Sequence, residues 1–354
     1  MELFLKRLKK AFEKVFGLSV IVVFIVVIFM FSGLILLNLK KIQAFWYVYQ
    51  GDKHSGKYEY QEAIENYQHA LNIYPQHVKA RYNLGNIYVA YEDFDSAVEC
   101  YQKALSYDTN YINARISLGI ILAEERLDLD GAIEEYEKAI KTRVPVINIP
   151  LIYDNAGMIK QNKSIVYYDM GLAYRDKSLL YLPDSIESVN FLRKAADCYE
   201  KSLALNSENY DAQYNLALTY HLLGLYTDAL RGYCRAMLIA PLNYESYYNL
   251  AILLRQRGQY KYAADEFRRA GFLASNTYKS FFIYQILNEV SAMAIAQHGF
   301  ESKKIMERLD TQLADETDSI KEEDERALTV DELEQVLIKR IKTSSVCKAY
   351  IENE

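Results

Sequence analysis

Apolar side chains along this chain follow two separate patterns. Between residues 44 and 277, small and large apolar residues recur at fixed offsets. The stretch Tyr210–Asn243 shows the set most fully: Leu216, Ala217 and Tyr220 stand at positions 7, 8 and 11, then Ala229, Tyr233, Ala236 and Pro241 at positions 20, 24, 27 and 32. This spacing predicts two antiparallel helices joined by a turn. The small residues at 8 and 20 are expected where the helices touch. The large residues at 7, 11 and 24 fill the space beside that contact, and proline at 32 ends the second helix. The other pattern is unbroken: Val15–Leu39 runs 25 residues without a charge. A bilayer-spanning helix needs about 20 apolar residues and satisfies its own backbone polar groups.

The offsets recur in register. Ala44–His77 carries Gly51, Ala63, Tyr67, Ala70 and Pro75. Val78–Tyr111 carries Leu84, Gly85, Tyr88, Ala97, Tyr101 and Ala104, with Thr109 at the proline position. A third unit starts at Ile112 with Leu118, Gly119 and Leu122, and one extra turn residue shifts Ala132, Tyr136 and Ala139. A fourth starts at Ser164 with Met170, Gly171 and Tyr174, and about twelve extra residues around Leu179–Val189 precede Ala195 and Tyr199. Tyr244–Thr277 repeats the set with Leu250, Ala251, Leu254, Ala263, Phe267 and Ala270. These residues resemble the tetratricopeptide repeat, a helix-turn-helix unit with a period of about 34 residues. The resemblance implies an all-α, right-handed α-solenoid of six repeats behind an N-terminal transmembrane helix. The repeats fall at 44–77, 78–111, 112–145, 164–209, 210–243 and 244–277, with an insertion at 146–163. Gln50 and His54 stand where the first repeat lacks large apolar residues, which suits an end unit without a preceding neighbour.

The flanks divide by composition. Residues 1–14 hold Lys6, Arg7, Lys9, Lys10 and Lys14, and 15–39 is the anchor. The apolar run is too long for a cleaved signal peptide. The Lys/Arg bias puts the N-terminus in the cytoplasm and the repeats on the opposite side. Phe45, Trp46, Tyr47 and Tyr49 follow the run, readable as an interfacial aromatic belt, as the first repeat helix, or as both. Pro150 and Gly157 argue against a continuous helix in 146–163. Closing helices are expected over 278–314 and a solvated acidic linker over 315–328. Thr329 and Glu332 form a capping-box pattern opening an amphipathic helix over 329–354, which either packs back on the array or engages a partner.

Charge and chemistry narrow the function. The net charge of −6, with no basic stripe in the repeats, argues against a nucleic-acid partner. Cys100, Cys198, Cys234 and Cys347 lack metal or redox spacing and are expected to be buried free thiols, which pulls against an exported location. His54, His69, His77, His221 and His298 form no metal pair, and no nucleophile elbow or phosphate loop occurs, so neither an enzyme nor a cofactor is expected.

In the repeat family, first-helix positions 2, 5, 6, 9, 12 and 13 face a concave groove. Carried over, position 5 holds Tyr82, Tyr168, Tyr214 and Tyr248, and position 6 holds Asn83, Asn215 and Asn249. The resemblance implies a peptide-binding face, with solvent-facing amides bonding an extended backbone and tyrosines covering its side chains. Arg175, His221 and Arg255 at position 12 add polarity, and only Lys79 fits the family's clamp for a peptide carboxylate. The chain reads as a membrane-anchored scaffold for a protein or peptide partner in assembly or trafficking. A co-chaperone holding unfolded or translocating chains, and a self-assembling homo-oligomeric array, remain the alternatives.

Overall fold

Every first helix must be turned back on itself within a few residues, and one backbone feature does this in every repeat but the fourth. At position 15 the chain enters the left-handed region: Tyr58 (φ 61°), Glu92 (φ 59°), Gly224 (φ 71°) and Gly258 (φ 71°). Leu127 (φ 53°) does the same one residue later, matching the extra residue of its turn. The next amide then bonds back over the helix end, as Leu225 N does to Tyr220 O (2.9 Å) and Asp93 N to Tyr88 O (2.9 Å). This is the Schellman closure, for which glycine is the strain-free residue.

The computed structural model describes residues 38–142, 155–274 and 330–351, with Lys6 and isolated positions from Gln285 to Met293. The rest of segment 1–14, the apolar run as far as residue 37, most of 278–314 and the linker 315–328 lie outside the described residues. Among the described residues no helix is long and apolar enough to cross a membrane, and none forms a strand.

The chain divides into two units, residues 1–121 and 122–354. In the first, α1 (38–55), α2 (Tyr60–Ile73), α3 (Val78–Ala90), α4 (Phe94–Tyr107) and the first part of α5 (Ile112–Glu124) are helical hairpins. The second holds α6 (Leu129–Ile140), α7 (Asn155–Ser178), α8 (Ile186–Leu205), α9 (Tyr210–Leu222), α10 (Tyr226–Ile239), α11 (Tyr244–Gln256) and α12 (Tyr260–Ala274). Beyond them come α13 (Val330–Thr343) and α14 (Lys348–Ile351). Asp93, Asp128 and Ser185 cap the second helices by accepting from Ser96, Gly131 and Ser188 amides. Asn209 and Asn243 cap first helices in the same way.

Packing refines the expected contact. The small residue at position 8 meets the aromatic ring at position 24: a Cβ on Gly85 would lie 2.6 Å from Tyr101 Cε1, and one on Gly171 would lie 2.5 Å from Tyr199 Cε1. Glycine is required there because the ring fills the space a side chain would take. The position-24 rings Tyr67, Tyr101, Tyr136, Tyr199, Tyr233 and Phe267 are all buried.

Two expectations are corrected. The insertion is not a loop over its whole length, because α7 begins at Asn155 and runs through Gly157 into the fourth repeat. No proline interrupts 155–178, so the helix simply starts early. The twelve extra residues of that repeat lengthen α7 and α8 into the longest hairpin of the second unit. Cys234 and Cys347 are not free thiols but a disulfide, with Cα atoms 5.6 Å apart. It ties α10 to the turn between α13 and α14, so the C-terminal helix packs back on the array. Ile341, Val346 and Cys347 join the core formed by Tyr233, Leu250 and Phe267. Cys100 and Cys198 are free.

Candidate functional site

The tyrosines and asparagines singled out by offset stand in a repeated arrangement. Each position-5 ring packs against the position-24 ring of its own repeat. Centroid separations are 5.7 Å for Tyr82–Tyr101, 6.0 Å for Tyr168–Tyr199, 6.3 Å for Tyr214–Tyr233 and 5.7 Å for Tyr248–Phe267. Aromatic pairs at such distances favour tilted and edge-on geometries, and the four outer rings stay half-buried. Burial pushes the Tyr168 and Tyr214 hydroxyls up to about 12, so both remain protonated donors.

The asparagines do not face solvent as expected. In the second unit Asn249 Nδ2 donates to Tyr214 OH of the preceding repeat (2.6 Å) and to Glu245 O (3.2 Å). Asn215 is buried; its Nδ2 donates to Asp211 O (2.8 Å) and Tyr168 OH (3.5 Å), while its Oδ1 accepts from Arg175 Nη1 (2.7 Å). Arg175 is held in turn by Asp176. These amides link one repeat to the next and fix the rings. In the first unit Asn83 Nδ2 donates to Asp52 Oδ1 (2.7 Å), and Asp52 also accepts from Tyr67 OH (2.8 Å) and Lys79 Nζ (2.7 Å). Asp52 went unnoticed in the sequence, although its position, 9, is one of those facing the groove.

An Asn215→Ala substitution should therefore act on stability. It leaves the Arg175 guanidinium and the Tyr168 hydroxyl short of a partner, and an unsatisfied buried group costs about 1–3 kcal/mol. A lowered urea midpoint of the purified protein checks this.

Position 6 of the fourth repeat holds Asp169 where the second, fifth and sixth repeats hold asparagine. Among the described residues its Oδ2 is buried without a hydrogen-bond partner. Burial, reinforced by the Glu124 carboxylate, raises its pKa from 3.8 to about 7. The folded chain therefore keeps this proton over a window in which the unfolded chain releases it. The contribution is fully present below about pH 4 and is lost as pH rises through about 7. Asp169→Asn should remove that dependence and raise stability at pH 8 by on the order of 2 kcal/mol. Thermal melts of parent and variant at pH 5 and pH 8 measure the difference, and only the parent should lose stability through this group.

Two further surfaces escaped the sequence reading. A cavity of about 650 Å³ opens between α8, α9 and α10, lined by Leu203, Leu216, Leu238 and Tyr220 with Glu200 and Arg231. The tip of the long hairpin exposes Leu179, Leu180, Leu182 and Ile186, each more than 70% accessible. Tyr181 stacks on Phe191 (5.6 Å), and the turn amides of Leu179, Leu180 and Tyr181 bond back to α7 carbonyls, so the tip is held open. Among the described residues no group of three His, Cys, Asp or Glu side chains is disposed to hold a metal ion.

Helical hairpins in one register, with Gly51, Gly85 and Gly171 under the rings of Tyr67, Tyr101 and Tyr199, define a helical-repeat fold. Residues 78–111 and 188–241 match the tetratricopeptide repeat, and residues 57–91 match the TPR repeat. Over these stretches the chain carries tetratricopeptide repeats. No curated protein matches the sequence. Solved structures similar in fold include PilF from Pseudomonas aeruginosa, at 18% identity and TM-score 0.53, covering 70% of this chain and 98% of that one. PilW, described as a widely conserved type IV pilus biogenesis factor, matches at 14% identity and TM-score 0.53, covering 68% and 98%. At these identities the likeness is one of fold.

Proposed function

We propose that this chain is a membrane-anchored scaffold that holds a protein or peptide partner on the first-helix face of its repeats. The observation that carries the reading is the row of half-buried tyrosines, Tyr168, Tyr214 and Tyr248, the first two held by an amide of the next repeat and the third packed on Phe267. Rings fixed before binding lose little entropy on contact, which is why tyrosine is favoured at hot spots. The roles of the two residue types separate: tyrosines, with Tyr82 in the first unit, meet the ligand, while Asn215 and Asn249 position Tyr168 and Tyr214, and Asn83 is bound to Asp52. The anchor is Val15–Leu39. The Cys234–Cys347 disulfide leaves only Cys100 and Cys198 unpaired, and with the Lys/Arg bias it supports an array outside the cytoplasm.

Tyr248→Ala in the full-length chain tests the binding face. It should cost about 2 kcal/mol of partner affinity, some thirty-fold, as for an interface hot spot. Helicity should be unchanged. Affinity for the co-purified partner and circular dichroism are measured on the same sample. Unchanged affinity would move the site away from this face.

A second reading, a holdase for unfolded chains, has its own support in the exposed leucines of the α7–α8 tip. Soluble proteins seldom display such patches without use. Leu179→Ser with Leu182→Ser would abolish capture of unfolded substrate in that case, and would leave binding of a folded partner intact in the first.

A further inference from the structure

We infer that the outward face of α1 sits in the headgroup layer of a lipid bilayer, so that the first repeat rests directly on the membrane. This rests on the anchoring proposed for Val15–Leu39. Helix α1 has two apolar faces. Ala44, Val48 and Gly51 form one stripe, closed against Tyr67 and the core around Ala63 and Ala70. Across the helix Leu39, Ile42, Trp46 and Tyr49 recur at i, i+3, i+7 and i+10, with Phe45 beside them. Phe45, Trp46 and Tyr49 are 58%, 55% and 65% exposed. A solvated helix seldom spends five large apolar side chains this way.

Position and charge select the occupant. The uncharged run ends at Leu39, where this face begins. Leu39 to Trp46 spans about 10 Å of helix, comparable to the headgroup layer beside the hydrocarbon core. Tryptophan and tyrosine are suited to that layer because each joins an apolar ring to a polar tip. Lys40, Lys41 and Lys53 are exposed on the same helix, and Asp52, its one carboxylate, is taken up by Lys79. The surface is thus basic as well as apolar, matching anionic lipid phosphates. A second copy would bring like charges together.

Trp46 is the chain's single tryptophan, so its fluorescence reports this face alone. The full-length chain is reconstituted into vesicles of phosphatidylcholine with phosphatidylglycerol, carrying a nitroxide either on the headgroup or at the acyl-chain end. The chain should float with the vesicles, and headgroup nitroxide should quench Trp46 several-fold more than the chain-end label. Acrylamide should quench it several-fold less than in the urea-unfolded chain. Lys40→Glu with Lys41→Glu should weaken the headgroup quenching while flotation persists. Flotation with full acrylamide access would overturn the inference and leave the anchor standing. Protection from acrylamide without lipid quenching, lost as protein is diluted in lipid, would assign the face to a second copy and overturn it likewise. Failure to float would overturn the anchor and this inference together.

Discussion

Gly85→Leu and Ala229→Leu should each lower the melting temperature by on the order of 5–10 °C and broaden the transition. A Cβ at residue 85 would already lie 2.6 Å from Tyr101 Cε1 and 3.2 Å from Cys100 Cβ. The ring has no room to retreat: Tyr101 is buried, and its hydroxyl donates to Asn86 Oδ1 at 2.7 Å. Ala229 is fully enclosed in the core with Tyr233, Leu250 and Leu254. Overpacking such sites costs about 1–3 kcal/mol, and more where the neighbour is pinned. Adjacent repeats share interfaces, so the loss spreads beyond the mutated hairpin. Circular dichroism melts of both variants measure it. Melting identical to the parent in both would mean that positions 8 and 20 are not where the helices close.

The other large effect belongs to the disulfide. Cys347→Ser should cost about 2–5 kcal/mol, the range for removing a native cross-link. The bond joins residues separated by 113 positions, so the unfolded chain regains much freedom when it is absent. The loss should be concentrated at one end. Leu337, Ile341 and Val346 are buried with the C-terminal segment packed on the array, and the charged remainder of α13 contributes little grip. Limited proteolysis should cut the variant first between residues 330 and 351, and reductant should reproduce the pattern in the parent. A parent chain whose digestion is indifferent to reductant would show that packing alone holds the helix.

The register was legible because it is local and repeated. Gly51, Gly85 and Gly171 sit at one offset, and the rings above them at another, so each hairpin restates its contact. Gly224 and Gly258 likewise mark the left-handed turn, whereas Tyr58 and Glu92 take the same conformation under strain and carry no composition signal. The disulfide left no trace in sequence, since nothing local relates Cys234 to Cys347. Gly157 misled, because a glycine in the first turn of a helix lacks the cost it has in the middle. At the candidate site the offsets of the tyrosines and asparagines were legible and the bonds of the asparagines were not. Whether an amide faces a ligand or a neighbouring tyrosine depends on the step between repeats, which offsets alone do not contain.

The tie between Cys234 and Cys347 also has a mechanical side. Suppose the chain is held by its N-terminal run while a load pulls on its last residues. Tension then passes from Cys347 across the sulfur bridge into α10, bypassing everything between. The 113-residue loop, including α11 and α12, is shielded from the pull. It could otherwise pay out roughly 400 Å of extended chain. The end of the molecule would behave as a short, stiff tether whose compliance is set by oxidation rather than by the strength of its final repeat.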